Sequence, residues 1–165
     1  MTGARSTPTP VEFGVAEDFY MRWLDAWNQD DVDRVFAIVT DDFVLSSPTT
    51  RLTGLQVCSA TDIRDYIKYI RTAYPDLLFE QRGPAMYAFD APIVSFPWRG
   101  TGTFTGTLAP PGIAGTGRRF DFRGVEVFTF RNDRACSLFA SYDLLRMMRQ
   151  IAVLDGSWAP EPGSA

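Results

Sequence analysis

The segment RFDFRGVEVFTF, residues 119–130, repeats with a period of two. Successive side chains of a strand point to opposite faces, so Phe120, Phe122, Glu126, Phe128 and Phe130 share one face, and Asp121, Arg123, Val125, Val127 and Thr129 share the other. A strand face so rich in phenylalanine must be covered, which calls for a sheet packed against a core on one side. Segments 77–89, 92–106 and 135–142 carry the same strand-favouring Phe, Val, Thr and Tyr, and Gly, Pro and Asn-Asp turn signals divide them. Together they predict a run of four antiparallel strands, with one charged residue, Glu126, on the aromatic face.

The first half of the chain has the helical period instead. From Val15 to Asn28, Ala16, Phe19, Tyr20, Trp23, Leu24 and Trp27 recur at spacings of three and four and predict an amphipathic helix with an aromatic face. Asp31 can cap a second short helix bearing Val32, Val35, Phe36 and Val39, after which DDFVLSSP reads as a strand stopped by Pro48. Ser59 or Thr61 can cap a third helix carrying Ile63, Tyr66, Ile67 and Ile70, ended at Pro75. A last helix spans roughly 143–154, with Leu144, Met148 and Ile151 on one face. Between the second and third strand segments, the loop TLAPPGIAGTG is long enough to cover a cavity mouth. Helices followed by strands in 165 residues predict one α+β domain, spanning 11–155, with frayed ends at 1–10 and 156–165.

Composition narrows the function. Hydrophobic residues make up 45% of the chain and aromatics 14%, enough to close a core and still line a pocket. The net charge of −4 and the lack of any Lys/Arg cluster argue against nucleic acid as a partner. No apolar run is long enough for a membrane span and no signal-peptide pattern opens the chain, so a cytoplasmic protein is expected. Cys58 and Cys136 read as small hydrophobes, not as a disulfide or metal framework. With no histidine at all, the commonest metal ligand and the usual catalytic base are missing, and neither a metal nor a cofactor is expected. Lys68 is the one lysine among the 16 basic residues, a bias that reads as the codon usage of a high-GC, actinobacterial source.

The stretches WLDAWNQDDVDRVFAIVTDDFVLSSP and AYPDLLFE resemble the first helices and third-helix exit of SnoaL-like proteins. WRGTGTFTG, GTGRRFDFRGVEVFTFRND and SYDLLRMMRQIAVL are similar to the closing strands and helix of SnoaL-like polyketide cyclases. The resemblance covers about residues 13–154. It implies the cone-shaped, nuclear transport factor 2-like fold, with helices packed on a strongly curved, mainly antiparallel sheet that encloses a pocket, and it implies a homodimer. Its expected activity is cofactor-independent tailoring of a small hydrophobic organic substrate by ring closure or rearrangement. Epoxide opening, and non-catalytic binding of a hydrophobic ligand or a dimeric scaffold role, are the alternatives.

Several residues are candidates for that chemistry. The resemblance makes Asp143, at the strand-to-helix junction, the general acid/base, because a carboxyl at the rim of an apolar cavity has its pKa raised toward the working pH. An Asp in front of an apolar helix is equally an N-cap. Glu126 is the second catalytic candidate, standing where the family often has histidine; a carboxylate among phenylalanines needs a proton or a partner, which Arg99 or Arg123 can supply. Arg99 can itself orient a carboxylate, or lie on the solvated face. Tyr20, Trp23, Trp27, Tyr66, Trp98 and Tyr142 complete the set as walls of a flat-sided substrate pocket or as plain core. Trp23 and Ser47 occupy the positions of the catalytic tyrosine and base of steroid isomerases, so that activity is not expected.

Overall fold

The computed structural model describes residues 10–29 and 31–154; the ends expected to fray lie outside them, except for Pro10. Helix α1 runs from Phe13 to Asn28, a 3₁₀ turn from Val32 to Ala37, strand β1 from Val39 to Ser46, α2 from Pro48 to Thr53, and α3 from Ala60 to Ala73. Strands β2 (Leu78–Gln81), β3 (Met86–Tyr87), β4 (Ile93–Thr103), β7 (Arg119–Arg131) and β8 (Arg134–Tyr142) follow, with the small hairpin β5 (Thr107–Leu108) and β6 (Ile113–Ala114) between β4 and β7, and α4 (Leu144–Gln150) after β8.

The main sheet has the order β1-β8-β7-β4-β2, with β3 paired to β4 beyond the end of β2. All its pairings are antiparallel except β1 with β8. The alternation read from the sequence is realised: Phe120, Phe122, Phe128 and Phe130 of β7 and Val94, Phe96 and Trp98 of β4 are buried on one face. Against it α1 lays Phe19, Tyr20 and Trp23. Tyr20 stacks on Phe96 at 3.9 Å, and Phe19 meets Phe128 and Phe130 edge-on at 4.8 and 4.9 Å. Such aromatic contacts contribute beyond the area they bury.

The structure corrects four sequence-based expectations. Pro48 does not only stop β1; it opens α2 at the first helical position, behind the N-cap Ser47, where its missing N–H loses nothing. Val39 belongs to β1 instead of the preceding helix, which is a 3₁₀ turn. Segment 77–89 breaks into two strands because Gly83, at φ 143°, turns the chain between them. The last helix ends at Gln150, and Ala152 takes a left-handed φ of 57°.

Candidate functional site

Helices, sheet and loop enclose a cavity of about 310 Å³. Trp27 of α1, Tyr66 and Ile70 of α3, Trp98 of β4, Phe122 and Glu126 of β7, and Tyr142 of β8 form its inner walls. Leu144, Met147 and Met148 of α4 close one side, and Leu108, Pro111 and Ile113 bring the β5–β6 loop over it. That loop is tied to α3, where the Tyr69 hydroxyl donates to the Pro110 carbonyl at 2.6 Å. The volume sits at the small end of ligand-sized cavities, and the lining is mostly aromatic and aliphatic.

Glu126 is the acidic side chain on this surface. The register sets it between Phe96 of β4 and the small Ala140 of β8. The Tyr20 hydroxyl donates to Oε2 at 3.0 Å, and the Trp23 indole N–H reaches both carboxyl oxygens at 3.2 Å. The carboxyl lies deep within the protein, yet part of the side chain opens onto the cavity and leaves the residue half-buried. Loss of hydration pushes its pKa from 4.5 up to about 7, and the two donors pull only partly in the other direction. The Tyr20 phenol is pushed the opposite way from a good acid, upward, first by burial and then by the Glu126 charge beside it. Neither Arg99 nor Arg123 is a hydrogen-bond partner of Glu126.

Two residues expected to face substrate, Tyr20 and Trp23, are not on the cavity surface; they stand behind Glu126 and hold it. Trp27, Tyr66, Trp98 and Tyr142 do line it. Trp98 meets Phe79, Phe122 and Tyr142 edge-on at 5.0, 5.1 and 5.6 Å. It passes over the bare backbone of Gly124, where a Cβ would come within 2.4 Å of Trp98 Cζ2. Trp27 is edge-on to Phe79 and Tyr66 at 5.2 and 6.2 Å. These rings give the cavity flat walls.

Arg99 points to the other side of the sheet. It grips Asp121 with both arms of its guanidinium, Nε–H to Oδ1 at 2.9 Å and Nη2–H to Oδ2 at 2.6 Å, and holds the Asp121 carboxyl below its usual range. Asp143 is exposed and is not part of the cavity lining: its Oδ1 accepts the Arg146 backbone N–H at 2.9 Å and caps α4. Sequence reasoning did not bring Thr49 to the site and met Ser47 only at the position of the steroid-isomerase base, although both line the cavity beside Tyr66 and Tyr142. Ser47-Pro48, a cap followed by proline, announces a helix start but not which of the following side chains faces the cavity. Among the described residues no group of three or more His, Cys, Asp or Glu side chains is placed to hold a metal ion.

No curated protein matches the sequence. The fold is shared with TsrD from Streptomyces laurentii at 17% identity, covering 87% of this chain and 99% of that one with a TM-score of 0.74. A candidate SnoaL-like polyketide cyclase from Jannaschia sp. CCS1 matches at 19% identity over 91% of this chain and 99% of its own, with a TM-score of 0.73. IdmH from Streptomyces antibioticus, a candidate polyketide cyclase, matches at 18% identity over 82% and 97%, with a TM-score of 0.67. Residues 20–138 match the SnoaL-like domain, and the chain belongs to that family.

Proposed function

We propose that the protein is a small-molecule tailoring enzyme that moves a proton to and from carbon on an apolar, ring-bearing substrate, with Glu126 as the acid/base. The observation that carries this reading is a carboxyl at the wall of an apolar cavity whose pKa is raised to about 7 by burial. A base poised near neutrality can both take a proton from an activated carbon acid and return it. Tyr20 and Trp23 are positioning residues, since their two donors fix the carboxylate's direction. Such a step can close or rearrange a ring, the chemistry suggested by solved relatives described as candidate polyketide cyclases.

The test is exchange of the α-hydrogens of 1-tetralone, a flat enolisable ketone, for deuterium in D₂O, followed by proton NMR. Wild type accelerates exchange, the rate rises with pH through about 7 as Glu126 ionises, and Glu126→Gln loses about a hundredfold or more. Equal exchange by the Gln variant, or none by wild type, overturns the reading.

A further inference from the structure

Leu52 of α2 lines the cavity yet is 60% exposed, and Pro111 of the β5–β6 loop is an exposed part of the lining as well, so these two elements and α4 border its mouth. Segments 44–61, 103–118 and 144–154, which carry α2, the loop and α4, contain Arg51, Arg118, Arg146 and Arg149 and no Asp or Glu. Asp143, just before α4, has its Oδ1 committed to the helix cap. Residues 12–42, in contrast, hold nine acidic and two basic side chains, and of them only Trp27 reaches the cavity lining. In a chain of net charge −4, negative charge thus gathers away from the mouth and positive charge around it, a separation that draws anions toward the opening.

Pairing sorts the arginines. Arg22, Arg34, Arg64, Arg82 and Arg131 each form a salt bridge with an Asp or Glu. Arg51 donates to the Ser46 hydroxyl and lies over the Phe139 ring, and the charge of Arg146 acts on Asp121. Arg118 and Arg149 are exposed, and among the described residues no carboxylate forms a salt bridge with either. The Thr116 hydroxyl donates to the Ile151 carbonyl at 2.7 Å and fastens the end of the loop to the end of α4. Arg118 follows that tie by two residues and Arg149 precedes it by two, so both leave the backbone close to the cavity-lining Ile151 and Val153. The interior sets the opposite rule. Its lining is mostly apolar and holds the Glu126 carboxyl, so a second negative charge there would lose its hydration and meet a like charge. An anionic group is therefore favoured at the mouth and excluded from the interior, which orients a ligand that carries one.

We infer that the cavity takes an amphiphilic substrate, whose apolar ring system enters toward Glu126 and whose single anionic group, a carboxylate or a phosphate, stays at the mouth with Arg118 and Arg149. The inference rests on the proton-transfer reading for calling this ligand a substrate, and adds its charge and its orientation.

The probes are 1-naphthylacetate and 1-naphthylacetamide, which share a shape and differ in charge, titrated into the protein at neutral pH by isothermal titration calorimetry. In about 20 mM salt wild type should bind the acid about tenfold more tightly than the amide, and the preference should shrink toward parity in about 0.5 M salt as screening sets in. Arg118→Gln and Arg149→Gln should each cut the preference at least about threefold, and the double variant should remove it. Arg149 also places a cation in the last turn of α4, a structural role that would move the unfolding midpoint and leave the acid-over-amide ratio unchanged. 1-Naphthyl phosphate identifies the anion: tighter binding than the acetate, with the larger loss in the double variant, marks a phosphate-bearing substrate, and the reverse order marks a carboxylate. Failure of the acid to bind, equal binding of acid and amide, or a preference intact in the folded double variant overturns the inference. Since 1-tetralone is neutral, its exchange draws on neither arginine. Glu126-dependent exchange without an acid preference would sink the anionic mouth alone, and an acid preference without exchange would sink the proton-transfer reading and leave the anion site standing.

Discussion

Asp143 and Glu126 differ above all in what their oxygens face. Asp143 gives Oδ1 to the Arg146 backbone N–H at the exposed start of α4, whereas Glu126 is enclosed by Tyr20, Trp23 and the cavity. Substitution separates the two roles. Asp143→Asn keeps a capping oxygen, and Asp143→Ala loses about 1 kcal/mol of stability, read by denaturant unfolding. Under the proposed mechanism both retain tetralone exchange per folded molecule, and loss of exchange in a stable Asn variant would return the proton to Asp143. The sequence shows Glu126 on the aromatic face because strand parity is local. It does not show which carboxylate meets the cavity, because a cap and a base in front of a helix have the same spelling.

Among the elements, two helix ends are fastened to the sheet by side-chain amides that imitate a neighbouring strand. Asn28, the last residue of α1, donates to the Phe79 carbonyl and accepts from the Phe79 N–H, both at 2.8 Å, along the outer edge of β2. Gln150, the last residue of α4, does the same for Asp121, accepting its N–H at 2.8 Å and donating to its carbonyl at 3.1 Å. β8 pairs with β7 only from Gly124 onward, so Asp121 has no strand on that side. Each amide thus satisfies an unpaired backbone edge and holds a helix that lines the cavity. Asn28→Ala and Gln150→Ala should each cost about 1–3 kcal/mol in denaturant unfolding, since two bonds are lost and two backbone groups are exposed. Gln150→Ala should also slow 1-tetralone exchange by releasing α4 from the cavity wall; unchanged unfolding midpoints would show the clamps to be idle. The longer helices and strands were legible in period and turn residues, whereas α2, the break between β2 and β3 and the β5–β6 hairpin were not. The clamps were not, because each joins residues about 29 to 51 positions apart.

For the whole molecule the consequence is a pH dependence with a defined sign. The chain has no histidine, and the carboxyls of Asp42, Asp76 and Asp121 are held below their usual range, so their effects fall in acid. Glu126 is the carboxyl raised from 4.5 to about 7. It binds its proton more tightly folded than unfolded, so stability is greatest below about 4.5 with respect to this group and declines as pH rises through about 7. The decline amounts to at most about 3 kcal/mol, less to the extent that water enters the cavity beside the carboxylate. The difference in unfolding free energy between wild type and Glu126→Gln, measured from pH 5 to 8, should therefore move in favour of the Gln variant as pH rises; a flat difference would place Glu126 in an ordinary, hydrated setting. By itself the sequence determined the α+β class, the order of helices before strands and the inward parity of the aromatic strands, because period and turn chemistry act over a few neighbouring residues. The tertiary structure decided which side chains share the cavity. Tyr20 and Trp23 move behind Glu126, Arg99 turns to the opposite face, Asp143 caps α4, and Ser47 and Thr49 arrive beside Tyr66 and Tyr142. Those outcomes depend on strand register and on where a helix crosses the sheet, distances that no local pattern encodes.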